Sequence, residues 1–212
     1  MTLGLFPLNL VLFPEVRLPL HIFEPRYKTL INECLERGSE FGINLVDDGR
    51  LHPVGCSAIV VDVLERHPDG RLDIVVEGLR RYKLLELIST EAPYNVGEVE
   101  EYYDESTGCD QALLEEVLAS YNRIVTMVYG LAAQTLSIDE LTATPSFDMA
   151  PKAGLTPTQR QMLLEVQDEN TRLVLLREHY KDVMPAVTKA DAIQRVIRND
   201  GYLRPEADGS AP

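Results

Sequence analysis

The chain has 212 residues, of which 45% are hydrophobic and 25% are charged, proportions that are ordinary for a folded globular protein. Its 34 acidic and 20 basic side chains give a formal net charge of −14. This excess of acid argues against a general nucleic-acid-binding surface and against binding to anionic membranes, because both depend on Lys and Arg.

The first predicted elements are a strand, a turn, a second strand and a helix with two marked ends. Pro19 biases Leu18 toward an extended backbone, and Pro25 suits the first helical position, where its missing N–H costs nothing. Gly38 is the residue type usually found just past a helix end. Between Pro25 and Gly38 the apolar residues recur at helical spacing: Tyr27, Leu30, Ile31, Cys34 and Leu35.

The segment from Phe41 to Tyr103 is predicted to be mostly β-structure. Alternating apolar residues, Ile- and Val-rich runs and a Pro-Asp-Gly turn at residues 68–70 support this prediction. The predicted strands are Phe41–Leu45, Val54–Leu64, Leu72–Val76, Leu79–Ile88 and Tyr94–Tyr103, with an interruption at Gly78 and a bulge at Gly97. Strands of this number joined by short turns predict a closed or nearly closed barrel.

The second half changes to helical periodicity. A long helix is predicted from Asp110, and a loop with two prolines is predicted at Thr142–Pro151. Thr156-Pro157-Thr158-Gln159 is a capping box that starts a helix reaching about Val166. Another helix is expected from about Glu169 until Pro185 stops it, and Val187–Arg198 would form the last one, with Ile193, Val196 and Ile197 on one side.

These patterns predict an α+β fold, with a β-rich barrel that contains one helix followed by a C-terminal α-helical bundle. The predicted divisions are a β-rich subdomain at 1–106, a helical subdomain at 107–204 and a disordered tail at 205–212. Acidic residues precede the boundary and are interpreted as a solvated strand exit and linker: Glu98, Glu100, Glu101, Asp104 and Glu105.

Ordered segments between Leu5 and Tyr94 resemble the N-terminal substrate-binding domain of Lon-type ATP-dependent proteases. The matching segments are Leu5-Phe6-Pro7-Leu8, Val11-Leu12-Phe13-Pro14, Leu18 to Tyr27, Pro53 to Ala58, Asp69-Gly70-Arg71-Leu72, Glu77 to Tyr82 and Pro93-Tyr94. Cys56 and Tyr82 depart from the common pattern, where Thr and Phe are usual. The resemblance implies that the barrel is a PUA-like pseudo-barrel and that the chain recognises polypeptides.

Residues for nucleotide chemistry, peptide cleavage or metal binding are not apparent in the sequence. There is no Gly-x-x-x-x-Gly-Lys-[Ser/Thr] loop, and Cys56 runs directly into a strand, which favours a packed residue over a nucleophile. His21, His52, His67 and His179 are scattered, and His21 is interpreted as a core histidine bonded to backbone. We therefore expect no catalytic residue, no metal and no cofactor.

The expected function is non-catalytic binding of unfolded or peptide segments, in a groove between the barrel and the first long helix of the second half. Phe13-Pro14 is expected in a loop beside a sheet edge, where an extended peptide could add as a strand if Phe13 is exposed. The favoured interpretation of Phe13 itself is that it caps the barrel. The candidate binding residues are Phe13, Pro14, Phe23, Arg26, Arg80 and Tyr82. Arg80 and Arg81 are expected on opposite faces of one strand.

Three other functions remain open at this point. An adaptor would bind one folded partner through a contiguous apolar patch, a ligand-binding protein or enzyme would need an unrecognised pocket, and nucleic-acid binding would conflict with the acidic charge. Cys34, Cys56 and Cys109 are odd in number and widely spaced, and no basic residue precedes Arg17. These features favour a cytoplasmic protein with no signal peptide and no disulfide framework, and they leave its oligomeric state undefined.

Overall fold

The computed structural model of the chain describes residues 1–106, 108–130 and 133–199, with side chains as far as residue 194. In this part the strands are β1 Thr2–Leu8, β2 Arg17–Ile22, β3 Phe41–Asp47, β4 Arg50–Leu51, β5 Val54–Arg66, β6 Leu72–Ile88 and β7 Val96–Glu101. The helices are α1 Pro25–Arg37, α2 Gln111–Tyr129, α3 Pro145–Met149, α4 Pro157–Glu165 and α5 Glu169–Asn199. The predicted tail and the side chains of Val196 and Ile197 lie outside the described residues.

The sheet closes on itself. Neighbouring strands pair in the order β1–β7–β6–β5–β3, and β1 also pairs with β3 in parallel, which completes the ring. β2 adds to the first half of β6, from Arg17 opposite Glu77 to Ile22 opposite Leu72. The predicted barrel and the α+β class are confirmed.

Helix α1 has the ends that the sequence marks. Pro25 occupies its first turn, and Gly38 follows in the left-handed region at φ 61°, where its N–H donates to the carbonyl of Cys34. A residue without a Cβ suits this conformation. The buried face packs against side chains from the strands to form the barrel core, which includes Phe6, Tyr27, Leu30, Ile31, Cys34, Phe41 and Ile74.

Two predictions within the sheet are wrong. β6 continues through Gly78, because this residue provides room for the carbonyl of Phe13 rather than a break in the strand. The bulge is not at Gly97: the register changes from Leu84 opposite Val99 to Glu86 opposite Glu98, which leaves Leu85 as the extra residue on β6. Gly97 instead leaves space for side chains packed from β1 and β6.

The helical half differs from its prediction in two places. The expected loop at 142–151 contains α3, whose Phe147 and Met149 are buried, because the tertiary core supplies an apolar surface that local sequence does not reveal. α5 continues through Pro185 to Asn199. A proline removes a single helical hydrogen bond, and Ala186, Lys189 and Ala190 beyond it favour helix, so the chain does not end the helix there.

The two halves share a hydrophobic core. Phe13 and Val54 from the β-rich part are buried together with residues of α2 to α5, among them Val117, Tyr121, Phe147, Leu164, Leu173 and Tyr180. The amide of Gln161 in α4 also donates to the carbonyl of Val54, at 2.9 Å. The divisions at residues 106 and 204 remain predictions, but the shared core fixes the helices against one side of the barrel.

Candidate functional site

A notch in the sheet lies along one edge of β6. Pairing with β2 ends at Glu77, and pairing with β7 begins at Tyr82, so residues 78–81 lie between the two neighbouring strands on that side. The N–H of Glu15 donates to the carbonyl of Gly78 at 2.8 Å, and the N–H of Tyr102 donates to the carbonyl of Arg81 at 3.1 Å. The notch is therefore flanked by the loop before β2 and by the exit of β7.

A groove of about 220 Å³ occupies this notch, and we refer to it as the junction groove. Residues 79–81 of β6 contribute to it together with residues 14–15, residues 102–104 and the N-terminal side of α3 at Ala143, Thr144 and Phe147. It thus lies where the barrel meets the helices. The sequence predicts a groove between the barrel and the first long helix, whereas this groove borders α3.

Gly78 sets the depth of the notch. A Cβ at this position would collide with the carbonyl oxygen of Phe13 and would come within 3.1 Å of the Cys56 sulfur. Only a residue without a side chain lets the Phe13 loop lie this close to β6. The loop in turn carries Pro14 and Glu15 to the groove.

A buried ion-pair cluster lies beneath the groove. Arg172 of α5 is 0% exposed and donates to both carboxylate oxygens of Asp104, at 2.7 and 2.6 Å, and to Glu169 at 2.6 Å. Arg81 of β6 also pairs with Asp104, and it donates to the carbonyls of Leu164 and Val166, each at 2.8 Å. The two arginines and two acids therefore cancel in charge and connect β6, the β7 exit and α5.

The ring of Phe147 supports both guanidinium groups of this cluster. The Arg172 and Arg81 guanidinium carbons lie 4.5 and 5.5 Å from the ring centroid. Phe13 stacks on the same ring at 5.2 Å between centroids. Cation–π contact adds to the pairing where the charges are shielded from water.

The cluster shifts the proton affinities of its members. Burial alone would raise the pKa of Asp104, but hydrogen bonds and the positive charges of Arg172 and Arg81 outweigh it, so the pKa is lowered. Burial also acts to lower the pKa of Arg172, but hydrogen bonds to Asp104 and attraction to Glu169 raise it above its ordinary value. Asp104 thus stays ionised, which corrects its interpretation as a solvated linker residue.

The rim of the groove combines an exposed aromatic ring with charged groups. Tyr103 is 65% exposed. Arg80 points to the face opposite Arg81, as predicted, and is held between Glu40 at 2.9 Å and Glu101 at 3.2 Å. Glu15 is exposed and has a φ of 61°. An extended segment lying in the groove would meet an aromatic face and charged groups of both signs, namely Glu15, Arg80, Arg81 and Asp104.

The structure brings together only part of the predicted binding set. Pro14 and Arg80 line the junction groove. Phe13 is 1% exposed and stacks on Phe147, so it packs against the side of the barrel as the capping interpretation predicted, and the alternative of an exposed Phe13 is wrong. Tyr82 is also buried, and its hydroxyl donates to the side-chain oxygen of Asn44. These two side chains support the site from within.

Phe23 and Arg26 lie away from the junction groove. Phe23 is 60% exposed at the end of β2. Arg26 pairs with Glu24 and lies over the ring of Tyr27, and it borders a separate open cavity of about 510 Å³ between the β1 end, β3 and β6. The two cavities share no lining residue.

Several residues of the site were not found from the sequence. Tyr103 lies at the end of a predicted strand, Asp104 in the predicted strand exit and linker, and Phe147 in a predicted loop. Arg172 and Glu169 do carry a signal, because they share a helix face with Leu173, Leu176 and Tyr180, and charged residues at core positions of an amphipathic helix indicate a buried pair. No comparable signal marks Tyr103.

The structure agrees with the interpretation of Cys56 but not with that of His21. Burial raises the pKa of Cys56 to about 12, which fits its interpretation as a packed side chain. His21 is exposed and bonds the carboxylate of Asp73 at 2.6 Å, so its prediction as a core histidine bonded to backbone is wrong. It lies on β2, whose side chains alternate between the barrel core and solvent.

A family model matches most of the chain. The model of the ATP-dependent protease La (LON) substrate-binding domain matches residues 2–182. Among curated proteins, Lon protease of Roseiflexus castenholzii is 28% identical over 222 aligned positions, covering 97% of this chain and 27% of the relative. Lon protease of Parabacteroides distasonis is 29% identical over 144 positions, covering 63% of this chain and 17% of the relative. The chain therefore spans about a quarter or less of the length of these relatives.

Solved structures show the same fold. A Lon N-terminal domain protein from Xanthomonas campestris has a TM-score of 0.66 at 26% identity, covering 83% of this chain and 96% of that one. The N-terminal domain of Lon protease from the Mycobacterium avium complex has a TM-score of 0.63 at 18% identity, covering 86% and 99%. In the described part of this chain, none of the helices is both long and apolar enough to span a membrane.

Proposed function

This chain belongs to the family of ATP-dependent protease La (LON) substrate-binding domains, and we propose that it captures unfolded or extended segments of other proteins in the junction groove. Membership of the family supports a substrate-recognition module. The observation that carries the choice of site is the notch at residues 78–81 of β6, which is bordered by the exposed ring of Tyr103.

The chemistry of the groove suits an extended polypeptide of mixed sequence. An aromatic ring contacts apolar and aromatic side chains without requiring a particular one. The exposed carboxylate of Glu15 in the groove, together with the net charge of −14 on the chain, favours neutral or basic segments over acidic ones. The ion-pair cluster beneath holds the floor in one arrangement, so that little order has to be gained when a segment binds.

The structure suggests different roles for the individual candidate binding residues, and the set as a whole remains a proposal. Pro14 and Arg80 stay in the contact set, with Tyr103 added as its main aromatic anchor. Phe13 and Tyr82 act by supporting the groove from within. Phe23 and Arg26 would act only with a ligand long enough to reach other parts of the surface.

We propose that recognition is the whole activity of the described chain and that no bond is cut here. The sequence carries no phosphate-binding glycine loop, and the Cys56 thiol is buried with a raised pKa. The proposed setting is the cytoplasm, and neither nucleic acid nor membrane is a proposed partner.

Fluorescence anisotropy with a labelled, permanently unfolded polypeptide tests this proposal. We expect saturable binding that Tyr103→Ala weakens about fivefold or more, since truncating an aromatic anchor typically costs more than 1 kcal/mol. Tyr129→Ala is the matched control, because Tyr129 is 60% exposed at the end of α2 and lies outside the groove.

Two results would contradict the proposal. A correctly folded sample that shows no saturable binding would reject polypeptide capture. Equal losses from the Tyr103 and Tyr129 variants would reject the junction groove as its location.

A further inference from the structure

A second cluster of functional side chains lies at the far end of the β2–β6–β5 ribbon. His21 on β2 is directly opposite Asp73 on β6, and Asp73 is opposite Glu65 on β5. His67 follows β5 at the turn that leads into β6. Residues far apart in the sequence are thus placed on neighbouring strands and their connecting turn.

Both histidines are directed at one carboxylate. His21 Nδ1 lies 2.6 Å from Asp73 Oδ1, and His67 Nε2 lies 2.7 Å from Asp73 Oδ2. One ligand atom from each of the three residues lies within 4.8 Å of the others. Among the described residues, this is the one group of three or more His, Cys, Asp or Glu side chains close enough to share a metal ion.

The other nitrogen of His67 has its own partner. His67 Nδ1 lies 3.4 Å from Glu65 Oε1. In the metal-free arrangement His67 Nε2 donates to Asp73, and the Glu65 carboxylate beside Nδ1 would accept the ring proton there once a metal takes the Nε2 lone pair. This arrangement of carboxylate, histidine and open coordination position is the usual outer shell of a metal-binding histidine.

We propose that His21 Nδ1, His67 Nε2 and one carboxylate oxygen of Asp73 bind a single divalent transition-metal ion, with Zn²⁺ as the first candidate. Two imidazoles and a carboxylate are ligands that Zn²⁺ accepts in tetrahedral geometry. At bond lengths of about 2.0 Å the ligand atoms would be about 3.3 Å apart. The contact between the coordinating Asp73 oxygen and its histidine must therefore widen by about 0.6 Å, and ligand atoms as far as 4.8 Å apart must close to the same spacing. The exposed position of His21 allows this small movement.

The ion would have a defined chemical setting. Three protein ligands leave one tetrahedral position for water or for a group from a partner molecule. Binding would replace the hydrogen bonds between imidazole and carboxylate, and the proton on each coordinating nitrogen would pass through solvent to the other nitrogen of its ring. It would also join β2 to the β5–β6 turn, whose connection at this point otherwise rests on strand pairing and hydrogen bonds to Asp73.

Isothermal titration calorimetry of the full chain with Zn²⁺, after removal of metals by a chelator, tests the proposal. We expect one ion per chain. Asp73→Asn and His67→Gln should each weaken binding at least tenfold, and Glu65→Gln should weaken it about tenfold, as loss of an outer-shell partner typically does. His52→Gln is the control and should bind as the unsubstituted chain does, because His52 lies beside Glu165 and away from the cluster.

The absorption spectrum of the Co²⁺-loaded chain distinguishes this site from a cysteine site. Ligation by imidazole and carboxylate gives no thiolate-to-cobalt charge-transfer band, whereas ligation by the exposed Cys109 would give one. The proposal is overturned if the folded chain binds no Zn²⁺, if the Asp73 and His67 variants bind as tightly as the control, or if the thiolate band appears.

Discussion

The side chain of Arg172 is completely buried and charged, a combination that is costly unless every donor is satisfied. Its neighbours supply that satisfaction: Asp104 accepts two hydrogen bonds, Glu169 accepts from two of its nitrogens, and the carbonyl of Val166 accepts another. Desolvation of such ions costs several kcal/mol each and is offset only in a complete network. The loss of one member should therefore be far more harmful than the loss of a surface pair.

Asp104→Asn tests this at residue scale. The substitution removes the carboxylate that pairs with both Arg81 and Arg172, and Glu169, which pairs with Arg172, is the acid that remains in the cluster. We expect a loss of about 3–5 kcal/mol in the free energy of unfolding at pH 7. The control Glu100→Gln removes an exposed partner 3.9 Å from Lys83 and should cost about 0–1 kcal/mol. Urea unfolding measures both.

The pH dependence of the same variant follows from the sign of the Asp104 shift. Because the pKa of Asp104 is lower in the folded chain than its ordinary value of 3.8, its contribution is complete above that value. The contribution is lost as the pH falls through the lowered pKa. The difference between the unsubstituted chain and Asp104→Asn should therefore be constant from pH 7 to about pH 5 and shrink below pH 4. A difference that grew on acidification would contradict the assignment.

Gly78 is a second residue at which adding one carbon atom, a Cβ, should change the stability of the fold. A methyl group there collides with the backbone of Phe13, which cannot move without disturbing the Phe13–Phe147 stack. We expect Gly78→Ala to lower the free energy of unfolding by about 1–3 kcal/mol through overpacking. Gly108→Ala is the matched control, since among the described residues outside its chain neighbours the nearest atom to an added Cβ is the Ser106 hydroxyl oxygen, at 3.8 Å. Equal midpoints of urea unfolding for the two variants would show that the close approach is unimportant.

At the scale of elements, the sequence correctly predicts helix ends that depend only on residues within one turn of them. Pro25 and Gly38 bound α1, and the Thr156 capping box starts α4, because these signals act within one turn. The passage of β6 through Gly78, the burial of α3 and the continuation of α5 past Pro185 depend on contacts made across the fold. Gly78 predicted a break in a strand and Pro185 predicted the end of a helix. Packing against the Phe13 loop and the helix-favouring residues after Pro185 keep both elements continuous.

Pro185→Ala tests the continuity of α5. In an uninterrupted helix Pro185 lacks the N–H that would bond the carbonyl of Lys181, so alanine should restore a bond and remove a steric conflict. We expect local stability to rise by about 1–3 kcal/mol, measured as slower amide hydrogen exchange between residues 182 and 190. Ala186→Gly should change it in the opposite direction by about 1 kcal/mol. Unchanged exchange in the proline variant would indicate that the helix ends before this point.

At the scale of the whole molecule, a closed barrel provides a rigid wall and the helices complete the groove beside it. Residues near 15, 80, 103 and 147 meet there although they are widely separated in the chain. Sequence reasoning identified Pro14 and Arg80, which belong to segments resembling a known family. It did not identify Tyr103 or Phe147, because their positions follow from how the second half packs on the first. The acidic net charge is the property that follows directly from composition.

Hydrogen–deuterium exchange of the full chain, with and without a saturating unfolded polypeptide, tests the central claim most directly. We predict that the added protection is concentrated in residues 79–81, 102–104 and 143–147, which border the junction groove. Protection confined to the cavity beside Arg26 and Leu87, or no change in exchange at saturation, would contradict it.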